Sequence, residues 1–120
     1  MSEKIKSFRD LRIWQHGIEL VEKIYKITET FPKSETYGLV AQMQRAVVSI
    51  PSNISEGYRR SHSNDYKRFL NISLGSCGEL ETQIEIAKRL GYTTEEHFLE
   101  LIGDLDYLCK MLQALIKKLC

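Results

Sequence analysis

Residues 64–91 read NDYKRFLNISLGSCGELETQIEIAKRLG, and apolar side chains recur in them every three or four positions. This spacing places the apolar side chains on one face of a helix with 3.6 residues per turn. Gly91 has the residue type that commonly follows a helix C-terminus, and Ser63 is a candidate N-cap. The sequence therefore predicts a helix over residues 64–90. Its core stripe comprises Tyr66, Phe69, Leu70, Ser73, Cys77, Leu80, Ile84 and Ala87.

The same spacing continues on both sides of this segment. It predicts a first helix over residues 11–30, a second from about residue 34 to residue 58, and a fourth from residue 93 to the C-terminus. Short connections between helices indicate antiparallel neighbours. We therefore predict an all-α fold, namely an antiparallel up-down-up-down four-helix bundle.

Three local signals define the predicted second and fourth helices. Ser34 is a candidate N-cap for the second helix, and Thr93 with Glu96 forms a capping-box pattern at the start of the fourth. Pro51 lies inside the second helix, where it removes a backbone donor. Because the apolar pattern continues in phase beyond Pro51, we expect the proline to kink this helix without ending it.

A chain of 120 residues is long enough for one domain with one modest core, so we expect a single domain over residues 1–120 with residues 1–10 as an N-terminal extension. No apolar stretch approaches the roughly 20 residues that cross a bilayer, and the N-terminus has no secretory pattern. We expect a soluble, cytoplasmic protein with no membrane partner. The three cysteines form no C-x-x-C pair, which indicates reduced thiols.

The charges are nearly balanced, with 17 Lys and Arg against 16 Asp and Glu. This excludes the strongly basic composition that by itself indicates a nucleic-acid partner. In an antiparallel bundle, however, the chain start, the second connection and the C-terminus share one end. We call this the basic end, because it collects ten basic residues against the four acidic residues Glu3, Asp10, Glu56 and Asp65. The ten basic residues are Lys4, Lys6, Arg9, Arg12, Arg59, Arg60, Lys67, Arg68, Lys117 and Lys118.

Two interpretations of the basic end stay open. In one it binds a phosphate backbone, and Tyr58, His62 and Tyr66 between the cations stack on unpaired bases. In the other it is a solvated face that keeps the protein soluble. The candidate nucleic-acid-binding residues are Arg9, Arg12, Arg59, Arg60, Lys67 and Arg68.

A row of polar residues on the predicted second helix, which we call the polar seam, also has two interpretations. Its members advance by three or four positions and so share one helix face. They either contact a ligand or RNA, or form a hydrogen-bond network that fixes register and assembly, with Glu79 and Glu81 pairing with Arg45 or Arg60. The seam consists of Gln42, Arg45, Ser49, Asn53 and Glu56.

No catalytic constellation is present in the sequence. His16 and Glu19 lack the second histidine of a metalloprotease motif, so we expect neither a metal nor another cofactor. Gly75 and Gly78 form a G-x-x-G pattern in mid-helix, which we interpret as a point of close helix approach. Cys77 lies on the apolar stripe and indicates an inert core thiol. The sequence therefore predicts a protein that is not an enzyme.

The predicted first helix carries two apolar stripes about 100° apart. One consists of Trp14, Ile18, Val21 and Tyr25, which we assign to the bundle's own core. The other consists of Ile13, Leu20, Ile24 and Ile27, which we assign to an oligomer interface. Because a long exposed apolar row usually marks an interaction site, we expect a homo-oligomer, most simply a closed ring.

A resemblance to a known family covers nearly the whole chain. Its most specific part is RAVVSIPSNISEG at residues 45–57, close to the pattern R-A-x-x-S-I-P-x-N-I-A-E-G, with Ser55 in place of the usual alanine. Matching residues before it are Phe8, Asp10, Leu11, Trp14, Gln15, Phe31, Pro32, Glu35, Tyr37, Gly38, Leu39 and Gln42. Those after it are Arg60, Phe69, Leu70, Gly75, Ser76, Glu79, Leu80, Glu81 and Gly91. The chain thus resembles the four-helix bundle family of large-subunit (23S) rRNA intervening-sequence proteins.

The resemblance implies a four-helix bundle and a ring of subunits, with a pentamer favoured. A related branch supplies a basic, pentameric accessory protein to the reverse transcriptase of diversity-generating retroelements. We therefore expect a non-enzymatic, self-associating scaffold that binds RNA or a nucleoprotein, such as a reverse transcriptase, through its basic end. The alternative is a purely structural or protein-interaction module with no nucleic-acid role.

Overall fold

A computed structural model describes residues 4–119, so the expectations for Glu3 and Cys120 lie outside the described residues. Within this range all the regular secondary structure is helical and there is no strand, which confirms the all-α prediction. Two short 3-10 turns precede the first and second long helices. The elements in chain order are a 3-10 turn Phe8–Asp10, α1 Arg12–Thr28, a 3-10 turn Lys33–Glu35, α2 Leu39–Tyr58, α3 Ser63–Arg89 and α4 Glu95–Lys118.

The backbone of each long helix runs close to two others, while within residues 4–119 the diagonal pairs α1 with α3 and α2 with α4 have no Cα atoms within 8 Å of each other. The α1–α4 contact is antiparallel, because the His16 ring packs on Tyr107 while Lys23, farther along α1, binds Asp104. The other neighbouring helix pairs are antiparallel as well. This arrangement fits the predicted up-down-up-down bundle.

The bundle core consists of aliphatic side chains from all four helices. The largest fully buried ones are Leu20, Ile24, Met43, Val47, Ile50, Ile54, Leu70, Leu80, Ile84, Leu105, Leu108 and Leu112. Pro51 is also buried, and α2 continues through it without a loop, as the in-phase apolar pattern predicts. A Cβ on Gly17 would lie 3.2 Å from Pro51 Cβ, so α1 and α2 approach closely at this point.

The assignment of the second α1 stripe to an oligomer interface is wrong, whereas Trp14 and Val21 of the first stripe pack against the core as predicted. Ile13, Leu20 and Ile24 are buried in the chain's own core, so they cannot form a subunit interface, and Ile27 is half-buried against that core. The physical reason is that α1 packs between α2 and α4. In the other stripe, Trp14, Ile18 and Val21 are half-buried and Tyr25 is exposed. Periodicity locates both stripes but does not say which one the neighbouring helices cover.

The N-terminus of α2 differs from the expectation. Ser34 lies inside a 3-10 turn and does not cap α2, which starts five residues later at Leu39. The Leu39 backbone N–H donates to Glu35 Oε1 at 3.1 Å, so a glutamate side chain caps this helix from four residues away. Tyr92 also donates its hydroxyl to Glu35 Oε2 at 2.9 Å. The same carboxylate therefore ties the α1–α2 connection to the end of α3.

The two other predicted caps are each displaced by one residue. His62 is the N-cap of α3, and Ser63 is the first helical residue. At α4, Thr94 Oγ1 accepts a hydrogen bond from the His97 backbone N–H at 3.1 Å. Thr94 is therefore the cap, while the hydroxyl of Thr93 is buried and has no hydrogen-bond partner within residues 4–119.

The end of α3 agrees with the sequence. Gly91 has a φ of 77°, in the left-handed region that favours glycine. Its N–H donates to the Lys88 carbonyl at 3.0 Å, and the Tyr92 N–H donates to the Ala87 carbonyl at 2.9 Å. These two bonds form a Schellman motif, which satisfies carbonyls that the helix end leaves unpaired.

The interpretation of Gly75 and Gly78 as a close-packing pair is wrong. Both are exposed, and a Cβ at either position would have no neighbouring atom within 4 Å. Close approach occurs instead at Gly57 near the end of α2. A Cβ at Gly57 would lie 2.9 Å from Phe69 Cβ and 3.2 Å from the Tyr66 carbonyl oxygen. The G-x-x-G spacing alone does not show which glycine faces a neighbouring helix.

We predict that Gly57→Ala lowers the free energy of unfolding by about 1–3 kcal/mol, because the added methyl overpacks the α2–α3 contact. Gly78→Ala is the matched control. It has open space around it and should raise stability by about 0.5–1 kcal/mol, because glycine is a poor helix former. Urea unfolding followed by circular dichroism measures both changes. Equal effects of the two substitutions would contradict this account of the contact.

Candidate nucleic-acid interface

The basic end begins with a short anchored segment before α1. Ser7 caps the first 3-10 turn, and Asp10 Oδ2 accepts from the backbone N–H groups of Lys6 at 2.8 Å and Ser7 at 3.1 Å. These donors stabilise the carboxylate and hold the pKa of Asp10 below its usual value. The Phe8 ring packs on Trp14 of α1 with ring centroids 5.3 Å apart. The segment that carries Arg9 is therefore fixed to the bundle.

Two guanidinium groups lie over the Phe8 ring. The Arg9 carbon Cζ is 5.0 Å from the ring centroid, and the Arg59 Cζ is 5.4 Å from it. Arg9 belongs to the N-terminal segment, whereas Arg59 is the C-cap of α2. The Phe8 ring therefore brings together cations that are 50 positions apart in the chain.

Phe69 on α3 holds a second pair of cations. The Arg60 Cζ lies 4.9 Å from the Phe69 centroid, and the Arg68 Cζ lies 4.6 Å from it. Arg60 also forms an ion pair with Glu56 at 2.6 Å, while Arg68 lies 3.8 Å from a carboxylate oxygen of Asp65. Both arginines are exposed. Contact with a ring face restricts a guanidinium while its edge N–H groups remain able to donate.

The α2–α3 connection links the two clusters, because its consecutive residues Arg59 and Arg60 contact different rings. Arg59 lies over Phe8, and Arg60 lies over Phe69. The structure thus brings together four of the six candidate residues. Arg12 is exposed in the first turn of α1, and Lys67 is half-buried near the start of α3. The structure shows no contact of Arg12 with the four within residues 4–119.

The aromatic residues expected to stack on bases are arranged differently from the phenylalanines. Tyr58 and Tyr66 are half-buried and pack edge to face at 6.2 Å, and burial raises the pKa of Tyr66. His62 is exposed. Sequence reasoning missed the role of Phe8 and assigned Phe69 only to the core. The signal that could have found both is an arginine directly beside each phenylalanine in the sequence.

The polar seam does not form one continuous site. Asn53 Nδ2 donates to the Ser49 carbonyl at 2.8 Å and to Ser49 Oγ at 2.9 Å, and Glu56 pairs with Arg60. Gln42, Arg45 and Ser49 line an open groove of about 380 Å³ between α2 and α3, which we call the polar groove. Its lining residues are Gln42, Arg45, Ala46, Ser49, Ser76, Glu79 and Gln83.

The pairing that we expected for the α3 carboxylates is wrong. Arg60, just beyond the end of α2, binds Glu56 of that helix, and neither Arg45 nor Glu79 forms an ion pair within residues 4–119. Glu81 faces a different groove, between α3 and α4. Helical position alone places these side chains on faces but does not give their partners.

The thiols of Cys77 and Cys109 are free and interact across α3 and α4. A hydrogen bond from Cys77 to Cys109, together with burial, raises the pKa of Cys77, and the same bond lowers the pKa of Cys109. A buried protonated thiol is a poor nucleophile. The described residues contain no group of three or more His, Cys, Asp or Glu that could hold a metal ion. No helix in the described part is long and apolar enough to span a bilayer.

Comparison with known proteins supports the resemblance seen in the sequence. Residues 9–114 match the family described as 23S rRNA-intervening sequence protein. A crystal structure of a protein with unknown function, from the S23 ribosomal protein family of Bacteroides thetaiotaomicron VPI-5482, superimposes with a TM-score of 0.81 at 24% sequence identity. The alignment covers 88% of this chain and 95% of that one, which supports the fold. No curated protein sequence matches the chain. Because the family match extends over most of its length, the chain belongs to the 23S rRNA-intervening sequence protein family.

Proposed function

We propose that this protein is a non-enzymatic, cytoplasmic, self-associating helical scaffold that binds RNA through its basic end. The observation that supports the proposal is the set of four exposed guanidinium groups held on Phe8 and Phe69. Guanidinium groups match phosphate geometry, and each phosphate contact releases counterions. A nucleoprotein partner, such as a reverse transcriptase with its RNA, would offer the same phosphates.

The proposed contact carries no sequence information by itself. Arginine–phosphate contacts fix the position and orientation of a nucleic acid, while base edges carry its sequence. The ring contacts restrict the arginine side chains before RNA arrives, which reduces the ordering entropy lost on binding. We therefore expect the basic end to bind many single-stranded RNA sequences with similar affinity.

Fluorescence anisotropy of a labelled single-stranded RNA tests the proposal. At low salt the native protein should bind the RNA, and affinity should fall steeply as salt is added. A protein that is folded and shows no RNA binding at the lowest salt would overturn the nucleic-acid proposal. That result would favour the alternative, a structural or protein-interaction module.

Self-association is the second part of the proposal, and the structure suggests a different face for it than the sequence did. Tyr25 is 44% exposed on α1 and Val48 is 38% exposed on α2, with half-buried Ile18 and Val21 on the same side of α1 as Tyr25. Tyr25 also shares a surface cleft with Val40 of α2. We propose that a second copy covers this outer face of α1 and α2, in a ring that the resemblance implies to be a pentamer.

Light scattering at micromolar concentration checks the assembly. The proposal expects a mass several times the 13.9 kDa of one chain. Tyr25→Glu combined with Val48→Glu should lower that mass while the helical circular dichroism is retained, because both residues lie at exposed positions of the single chain and outside its buried core. A native mass of about one chain would overturn self-association.

A further inference from the structure

The polar groove between α2 and α3 has no role in the proposed contact with phosphates. Its volume of about 380 Å³ lies at the lower end of the range of about 300–1,000 Å³ for small-molecule sites. Six of its seven lining residues carry polar side chains, and the other is an alanine. A protein partner would need an apolar anchor to fill the groove, because interface energy concentrates in buried aromatic and aliphatic side chains. The lining therefore favours a small polar group.

Opposite charges line the two walls of the polar groove. Arg45 and Gln42 stand on the α2 wall, and Glu79 stands on the α3 wall. All three side chains are exposed, and Arg45 and Glu79 form no ion pair within the described range 4–119. The groove thus offers one cationic donor, Arg45, and one neutral amide, Gln42, on one side and an anionic acceptor, Glu79, on the other. A complementary ligand presents an acceptor edge beside a donor edge.

Gln83 adds a second acceptor beside Glu79. It is only 8% exposed, and its Oε1 has no hydrogen-bond partner in the described residues. An unsatisfied buried acceptor is unfavourable. The terminal torsion of a glutamine is soft, so the amide can turn Oε1 toward the groove when a donor arrives.

The remaining polar groups at this contact are already satisfied. Ser76 Oγ donates to Ser49 Oγ at 2.9 Å, and one turn away Ser73 Oγ donates to the Ile50 carbonyl at 2.8 Å. These bonds join α2 to α3 and hold the walls of the groove in place. The groups still able to recognise a ligand are therefore Arg45, Gln42, Glu79 and Gln83.

We propose that the polar groove binds the edge of a nucleobase and prefers guanine. Guanine carries the acceptors N7 and O6, which arginine binds, next to the donors N1–H and N2–H₂. These donors match Glu79 and Gln83 when the acceptors face Arg45. Adenine and cytosine offer one amino group each, and uracil offers a single N–H on this edge. The base can come from RNA, in which case the inference rests on the proposed function, or from a free guanine nucleotide.

Titration with the four free nucleoside monophosphates, followed by the amide NMR shifts of the native protein, tests this proposal. GMP should bind most tightly. Glu79→Gln should lower the affinity for GMP about 5- to 150-fold, which is the effect expected when one bidentate contact to a base is lost. Glu81→Gln is the matched control, since Glu81 is exposed on the same helix outside the polar groove, and it should change nothing. Equal binding of all four nucleotides, or equal effects of the two variants, would overturn the proposal.

A second arm separates the two sources of the base. Two short single-stranded RNAs are compared that differ only by a central guanine or uracil. Preference for the guanine RNA that is lost in Glu79→Gln supports recognition within RNA. RNA binding without guanine preference, together with no GMP selectivity, overturns the groove proposal and leaves the basic end intact. Selective GMP binding by a protein that binds no RNA supports a free-nucleotide site, while the proposed function fails.

Discussion

Replacing Ile24 with Glu should unfold the chain and not merely dissociate an assembly. Ile24 is 0% exposed in the C-terminal half of α1, where it belongs to the hydrophobic core cluster. An unpaired buried charge costs several kcal/mol in addition to the packing that is lost. Because a domain of this size is stable by only about 5–15 kcal/mol, we expect most of the helical circular dichroism to disappear.

Tyr25→Glu is the matched control for Ile24→Glu. It introduces the same side chain one position farther along the same helix, but at a site that is 44% exposed. Within the single chain a change at an exposed position usually alters stability by about 0.5 kcal/mol or less, so the variant should stay helical even where it dissociates the proposed assembly. If Ile24→Glu remained folded and Tyr25→Glu unfolded, the placement of α1 in the bundle would be incorrect.

Removing three guanidinium groups from the basic end should weaken RNA binding by about 100-fold at low salt. The estimate takes about 1 kcal/mol for each arginine–phosphate contact that is lost. The variant combines Arg9→Gln, Arg59→Gln and Arg68→Gln, which takes cations from both phenylalanine rings. Arg60 is kept because its ion pair with Glu56 ties the end of α2. Fluorescence anisotropy with the same labelled RNA measures the change.

A control variant has the same net charge as the arginine variant, but the cations are removed from other parts of the surface. It combines Lys26→Gln, Lys33→Gln and Lys110→Gln, all at exposed positions outside the basic end. Long-range attraction weakens equally in both variants, so the control should lose only a small part of the affinity. Equal losses would show that net charge, and not the arrangement at the basic end, controls binding.

Periodicity predicted the fold well because the helices are long and strongly amphipathic. The bounds of α3, Ser63–Arg89, differ by one residue at each end from the predicted range, and Gly91 follows the helix end as predicted. The helix starts were less predictable, because several polar residues near each start can act as a cap. Glu35 caps α2 through its side chain from four residues away, and the Ser34 signal does not include that contact.

The candidate sites were predictable only in part. The basic end follows from charge positions and antiparallel order, so most of its arginines could be named in advance. The ring contacts that organise them depend on side-chain packing between segments distant in sequence, as at Phe8. The polar groove was visible only as three members of a helix face. Its other wall, including the unsatisfied oxygen of Gln83, required the three-dimensional register of α2 and α3.

The salt dependence of RNA affinity counts the phosphates that the basic end contacts. If the four ring-bound guanidinium groups contact phosphates, the logarithm of the association constant should fall with the logarithm of salt concentration with a slope of about −3 for single-stranded RNA. The slope should become shallower by about two in the Arg9, Arg59 and Arg68 triple variant and stay unchanged in the lysine control variant. Identical slopes for the native protein and the arginine variant would contradict the assignment of the basic end as the RNA-binding surface.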